Sequence, residues 1–167
     1  YNNEIQSIAQ QEFNIIQSKL GKKPTVSIHM RRGDYLLPQH SFCELKQEYF
    51  LKAITSHFMP ANDFNFLIFS NDIEYSKSVL DGDNVWFVEP KGVDEQSFTA
   101  SEKEDLALLS LCDNHIISNS SYSWWGAFLS KNKNKKIICP TNYVEPSHPS
   151  SWINGKYYPS NWINIDN

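Results

Sequence analysis

Arginine is almost missing from this chain: of 15 basic residues only two are arginine, Arg31 and Arg32, and they are adjacent. Acidic residues number 19, and the net charge is −4. A broad nucleic-acid surface is excluded, because such surfaces need distributed positive charge. An anionic small molecule is not excluded, since positive charge is concentrated at one point. Cysteine is scarce: Cys43, Cys112 and Cys139 make an odd count with no CxxC pair. Cys112 and Cys139 lie in apolar stretches and read as small core residues, which fits a reducing compartment. No apolar run approaches the roughly 20 residues of a membrane span, and no signal-peptide pattern opens the chain. The chain starts at Tyr1 in a polar, helix-like stretch, and reads as a piece of a longer protein. GxGxxG, P-loop and GxSxG patterns are also missing, against the usual dinucleotide enzymes, kinases and hydrolases.

What remains suits a single domain. A length of 167 residues, 40% of them hydrophobic and 20% charged, supports one real core and leaves little room for two. Aromatics reach 14%, and several sit near the C-terminus in polar company. Short, continuously apolar runs at 26–28, 66–69, 85–88, 115–117 and 136–139 predict strands covered on both faces. Pro90 and Pro140 stop the third and fifth. Helical spacing predicts helices over 2–20, 46–58, 72–80, 101–112 and 120–131; Ser101 and Glu104 form a capping box for the fourth. Ile5, Ile8, Ala9, Phe13, Ile16 and Leu20 mark the core face of the first. Alternating strands and helices predict an α/β fold, a parallel sheet with helices on both faces. Residues 140–167 read as an irregular tail packed on this single domain.

Ligands of such sheets sit beyond the carboxyl ends of the strands. His29-Met30-Arg31-Arg32-Gly33-Asp34-Tyr35 follows the first strand directly. Two adjacent guanidiniums repel unless an anion or carboxylate lies between them, and arginine makes forked bonds to phosphate oxygens. Gly33 permits a tight turn, and Asp34 pins one arginine and leaves the other for a ligand. The competing readings are a salt-bridged surface loop and, from Arg32-Gly33-Asp34, an integrin-binding signal. Ser118-Asn119-Ser120-Ser121-Tyr122-Ser123-Trp124-Trp125 follows the fourth strand and opens a helix. Asn119 or Ser120 caps that helix, and its free first-turn amides suit an anion. The plain alternative is a well-capped helix with Trp124 and Trp125 in the core, the reading favoured for both tryptophans. Asn119-Ser120-Ser121 also matches a glycosylation sequon.

Asp72 follows the second strand and is a third rim candidate, able to accept hydrogen bonds from a base. Asp81-Gly82-Asp83 resembles a metal-binding DxD, but it precedes a strand, where Asp and Gly are ordinary turn residues. The five histidines show no pair at metal-ligand spacing. Glu44, Glu48, Glu89 and Glu95 are each conceivable general bases. Trp152, Tyr157, Tyr158 and Trp162 offer a rival reading as a lectin-like surface.

Taken together, the blocks resemble the α-1,2-fucosyltransferases, glycosyltransferase family 11. His29 to Tyr35 is similar to the HxRRGDY motif, Phe69 to Asp72 to FSxD, Ser118 to Leu129 to xNSSxSWWxAxL, and Tyr158 to Ile163 to the usual chain end. The resemblance implies a Rossmann-like sheet, the C-terminal domain of a GT-B glycosyltransferase, with an N-terminal acceptor domain absent from this chain. It implies a galactoside 2-α-L-fucosyltransferase that inverts the anomeric centre. Fucose would pass from GDP-fucose to a galactose-containing glycan, with no cofactor and no metal. By resemblance Arg31 contacts the β-phosphate and is the catalytic residue. His29 and Asp72 lie near the guanosine, and Ser120 and Ser121 near the diphosphate. Arg32, held by Asp34, supports the loop with Gly33, and Asn119 belongs to the donor-binding set. A binding module that holds GDP without catalysing transfer is the competing class. The expected setting is a bacterial cytoplasm, with peripheral contact at the inner membrane face through a lipid-linked acceptor and no nucleic-acid partner.

Overall fold

The structure is a computed structural model that describes residues 2–37, 40–89 and 100–167. Eleven regular elements are present among the described residues. These are α1 (Asn3–Leu20), β1 (Thr25–Met30), α2 (Gln47–His57), β2 (Asn65–Ser70), α3 (Ile73–Val79), β3 (Val85–Val88), α4 (Ala100–Leu111), β4 (Asn114–Ile116), α5 (Ser121–Leu129), β5 (Ile137–Pro140) and β6 (Ile163–Ile165). The six strands form one sheet in the order β3-β2-β1-β4-β5-β6, with every pairing parallel. Strand order reverses between β1 and β4. That is the switch point of a doubly wound sheet, where loops leaving adjacent strands part and open a crevice.

Alternate residues of β2 explain why its run is continuously apolar. Phe66 and Ile68 join a core with Tyr49, Phe50 and Ile54 of α2, while Leu67 and Phe69 join one with Phe13, Ile16 and Leu108 of α1 and α4. Both faces of the sheet are therefore covered, as a parallel sheet requires. Asn2 caps α1 by accepting from the Ile5 amide at 2.9 Å. The core face of α1 is the expected one: Ala9, Phe13 and Ile16 are buried, and Ile5 and Leu20 pack beside them. Cys112 and Cys139 are buried and all three cysteines are free. Burial pushes the Cys139 thiol up to about 12.

Three expectations change. The segment after residue 140 is not wholly irregular: β6 pairs with β5 along Ile138↔Ile163 to Pro140↔Ile165. Pro140 is thus the last residue of β5 and pairs within it; proline is tolerated at such a margin. Helix α4 begins one residue before Ser101, whose side chain lies outside the described residues, as do Pro90 and Glu95.

Candidate functional site

The loop leaving β1 turns at once into a short 3-10 helix, Gly33–Leu36. Gly33 sits at φ +60°, and a Cβ there would lie 2.7 Å from Asn71 Nδ2. That closeness has a purpose. Asn71 accepts from the Arg32 amide at 2.8 Å and donates back to the Arg32 carbonyl at 3.2 Å, which fastens the β1 loop to the β2 loop.

The two arginines then diverge. Arg31 faces Asp34, with Nη2 2.6 Å from Oδ1, and lies over the Tyr35 ring at 5.4 Å. Its side chain stays 35% exposed. Arg32 turns the other way. Its guanidinium reaches Asp72 at 3.3 Å and Glu44 at 3.2 Å, stacks 3.6 Å above Tyr75, and is 15% exposed. Asp34 therefore holds Arg31, not Arg32 as expected from sequence. The reason is the 3-10 turn, which brings residues three apart onto one side. Arg32 has its charge matched twice and is a support; Arg31 is the accessible cation. Asp72 supports as well: its other oxygen caps α3 by accepting from the Tyr75 amide at 3.0 Å.

The loop leaving β4 meets this one from across the crevice. Ser118 is buried, and its hydroxyl lies 2.7 Å from Nδ1 of His29. His29 is itself buried, tilted against Tyr122 at 5.3 Å. Burial first, and the Arg31 charge second, push its pKa down to about 3, so the imidazole is neutral. Ser120 is the N-cap of α5 and accepts from the Tyr122 amide at 3.3 Å. Ser121 opens α5 and is exposed. Asn119 is a strut: its buried amide donates to the carbonyls of Cys43 and Tyr143, each at 2.8 Å. Arg31, Gly33 and Asp34 thus leave the carboxyl end of β1, and Ser120 and Ser121 that of its neighbour β4, while His29, Arg32, Asp72 and Asn119 are held by partners within the protein.

The tryptophan pair divides. Trp124 is half-buried against Trp162 at 5.3 Å, but Trp125 is 50% exposed. The core reading fails for Trp125: a step of about 100° along α5 turns it away from the face that Trp124 presents to Trp162, and it stands exposed. The lectin-like surface does not form either: Tyr158 and Trp162 are buried, which leaves Trp152 exposed apart from them. Asp81 accepts from the Gly82 amide in the turn before β3, at the amino edge of the sheet. Among the described residues no three His, Cys, Asp or Glu side chains converge. Of the four glutamates considered as bases, Glu44 is engaged by Arg32, and Glu48 and Glu89 are exposed.

Sequence reasoning missed Glu44 as the second anion of Arg32, and it missed the aromatic wall beside the β1 loop. Phe42 stacks on Tyr35 at 4.0 Å and meets Tyr143 edge-on at 5.8 Å. Tyr35 belongs to the first motif, but nothing local marks its long-range partners. Two cavities of about 550 and 510 Å³ lie elsewhere, one lined by Lys22, Lys23 and Asp113 and one by Gln6, Gln10 and Ser110. Neither is lined by residues of the two motif loops.

The family model for Glycosyl transferase family 11 matches residues 1–166. An Escherichia coli O-antigen biosynthesis glycosyltransferase, WbnK, is 31% identical over 78% of this chain and 44% of its own length. An Escherichia coli alpha-1,2-colitosyltransferase is 32% identical over 85% of this chain and 48% of its own. The chain spans about half the length of these curated relatives. The crystal structure of a family 9 glycosyl transferase from Veillonella parvula superposes with a TM-score of 0.55 at 14% identity, covering 99% of this chain and 40% of that one. That likeness is one of fold.

Proposed function

Because this chain belongs to glycosyl transferase family 11, we propose that it supplies the nucleotide-sugar donor site of a fucosyltransferase, binding GDP-fucose across the switch point between β1 and β4. One observation carries the reading: the accessible guanidinium of Arg31, steadied by Asp34, leaves β1, and the capped amino end of α5 with Ser120 and Ser121 leaves the adjacent strand β4, the two loops being tied by His29 and Ser118. An anion placed there meets a fixed cation, hydroxyl donors and the free amides of a helix start.

The chemistry follows from that placement. As fucose departs, positive charge grows on the sugar ring and negative charge on the leaving diphosphate. Arg31 and the α5 amides stabilise the growing negative charge without reorganising. In this reading no metal is required, because those groups supply the charge. The acceptor, a galactose 2-hydroxyl on a glycan, attacks from the opposite face and inverts the anomeric carbon. Its proton goes to a base outside the groups assigned here. The acceptor glycan is carried on lipid and met at the cytoplasmic face of the membrane, in keeping with the O-antigen biosynthesis in the name of one relative. A second donor, GDP-colitose, is favoured by the name of the other relative. The competing class is a module that binds GDP-sugar and needs a further segment for transfer.

Calorimetric titration tests the reading. The chain should bind GDP in preference to ADP and UDP, equally well with and without EDTA. Arg31→Ala should weaken GDP about ten- to a hundredfold, the loss of one charge-assisted contact of about 1.5–3 kcal/mol. Equal binding by wild type and variant removes the assigned role from Arg31, and a preference for UDP or ADP removes the guanosine.

A further inference from the structure

The loop after β5 is held in an unusual way. Asn167 accepts from the Asn142 amide at 2.8 Å and donates to the Asn142 carbonyl at 3.3 Å. Asn154 accepts from the amides of Tyr143 and Val144 at 2.8 and 3.1 Å and donates to the Val144 carbonyl at 2.8 Å. Asn119 donates to the Tyr143 carbonyl at 2.8 Å. Three asparagine side chains from three distant segments therefore satisfy every backbone amide and carbonyl of Asn142, Tyr143 and Val144. Irregular backbone with all its polar groups satisfied in this way is rigid, and rigid support behind an exposed side chain is how binding groups are preorganised.

The side chain so held is Tyr143. Its ring lies 4.2 Å from that of Tyr157. Through Phe42 it continues the wall to Tyr35, on the loop that follows β1. Tyr158 packs against Tyr157 at 5.2 Å, and its hydroxyl is buried without a hydrogen-bond partner among the described residues. Tyr143, Tyr157 and Tyr158 pack together on Ile117, which follows β4, and Cys139 of β5, so the three rings gather at the carboxyl ends of those strands. Tyr143 and Tyr157 remain half-buried and reachable. Burial holds the phenols of Tyr143 and Tyr158 above their ordinary value, so they stay protonated and act as neutral donors and acceptors, not as bases.

Neutral hydroxyls on an aromatic face suit an uncharged sugar ring, with its alternating C–H and O–H edges, better than a phosphate. Position agrees with chemistry. A nucleotide sugar is linear, and the diphosphate elements lie over β1 and β4. The phenols lie to one side, over β4 and β5. Arg32 and Asp72 lie to the other, over β2.

We infer that Tyr143 and Tyr157, framed by Asn119, Asn154 and Asn167, are specificity-determining residues that bind the hexose of the donor through its hydroxyls. The inference rests on the donor-site reading above. It is tested by titrating wild type, Tyr143→Phe and Tyr157→Phe with GDP and with GDP-fucose; both substitutions keep the rings and their packing. GDP affinity should stay within about twofold, while GDP-fucose affinity falls about five- to tenfold, the loss of one hydrogen bond. Asn154→Ala, checked by circular dichroism to be folded, should reproduce that selective loss by releasing the loop. Equal losses for both ligands, or none for either, overturn the inference and leave the cluster as packing. Wild type that binds neither ligand overturns the donor-site reading itself, and that outcome is read without any variant.

Discussion

The guanidinium of Arg32 lies 3.6 Å above the ring of Tyr75 and links the β1 loop to α3. With Asp72 and Glu44 also in reach, its charge is matched within the protein. Its neighbour Arg31 keeps one carboxylate partner and a third of its surface. The two adjacent arginines therefore divide their work, and substitutions should separate it. Arg32→Ala is expected to lower unfolding stability by about 1–2 kcal/mol, since its partners are partly exposed and their interaction is screened. Arg32→Lys should recover little, because an ammonium cannot fork to two carboxylates and stack on a ring together. Arg31→Ala should cost under about 1 kcal/mol. Urea unfolding monitored by tryptophan fluorescence measures all three; equal losses for Arg31→Ala and Arg32→Ala would contradict the division.

Gly33 tests the fastening of the two loops. Its φ of +60° strains any other residue, and its missing Cβ leaves room for Asn71 Nδ2. Gly33→Ala is expected to cost about 1–2 kcal/mol from left-handed backbone strain. It should also push Asn71 off Arg32 and so weaken GDP binding. Asn71→Ala removes the same bridge without the strain. If Asn71→Ala leaves GDP affinity unchanged while Gly33→Ala lowers it, backbone shape matters and the bridge does not.

Much of this arrangement was legible in the sequence, for a definite reason. A parallel sheet covered on both faces demands continuous apolar runs, and five of them stand out between polar turns, Val85–Val88 among them with its limits unchanged. Both candidate site loops were legible because each motif directly follows one of those strands. β6 was not, since Ile163 and Ile165 flank an asparagine in a three-residue edge strand that pairs on one side only. The pairing of Asp34 with Arg31 was not legible because it depends on the phase of a 3-10 turn. The asparagine frame was hidden for another reason: Asn119, Asn154 and Asn167 read as ordinary polar residues until the fold brings them to one loop.

Gly126 tests helix packing. It lies in the middle of α5, where a Cβ would come 2.6 Å from Cδ2 of Leu109 and 3.1 Å from Cδ1 of Leu106 on α4. Leu109 is fully buried and has little freedom to move aside. Glycine in a helix costs up to about 1 kcal/mol relative to alanine, so close approach outweighs propensity here. Gly126→Val is expected to destabilise by about 2–3 kcal/mol through overpacking. A thermal melt showing a gain in stability would mean that α4 and α5 are free to separate.

Two buried histidines should make the protein acid-sensitive. His29 and His115 each have their pKa pushed down to about 3, chiefly by burial, with Arg31 and Lys135 as secondary causes. His115 bonds Ser27 at 2.7 Å as His29 bonds Ser118, so each neutral ring has one nitrogen satisfied by a serine. In the unfolded chain both titrate near their ordinary value of about 6.5. Between that value and about 3 the unfolded state binds protons that the folded state refuses. Stability is therefore fully present above about pH 7 and is lost as pH falls. Each histidine contributes a slope of about 1.4 kcal/mol per pH unit, or nearly 3 for the pair. Over the roughly 3.5 pH units between the two values the pair removes about 9–10 kcal/mol, enough to unfold a domain in the lower half of the ordinary range of about 5–15 kcal/mol. Urea denaturation at half-unit steps from pH 7.5 to 5 should reveal the slope, and His115→Gln, which can keep the Ser27 hydrogen bond, should halve it. An unchanged slope in that variant would assign the acid sensitivity to carboxylates and clear His115 of any part in it.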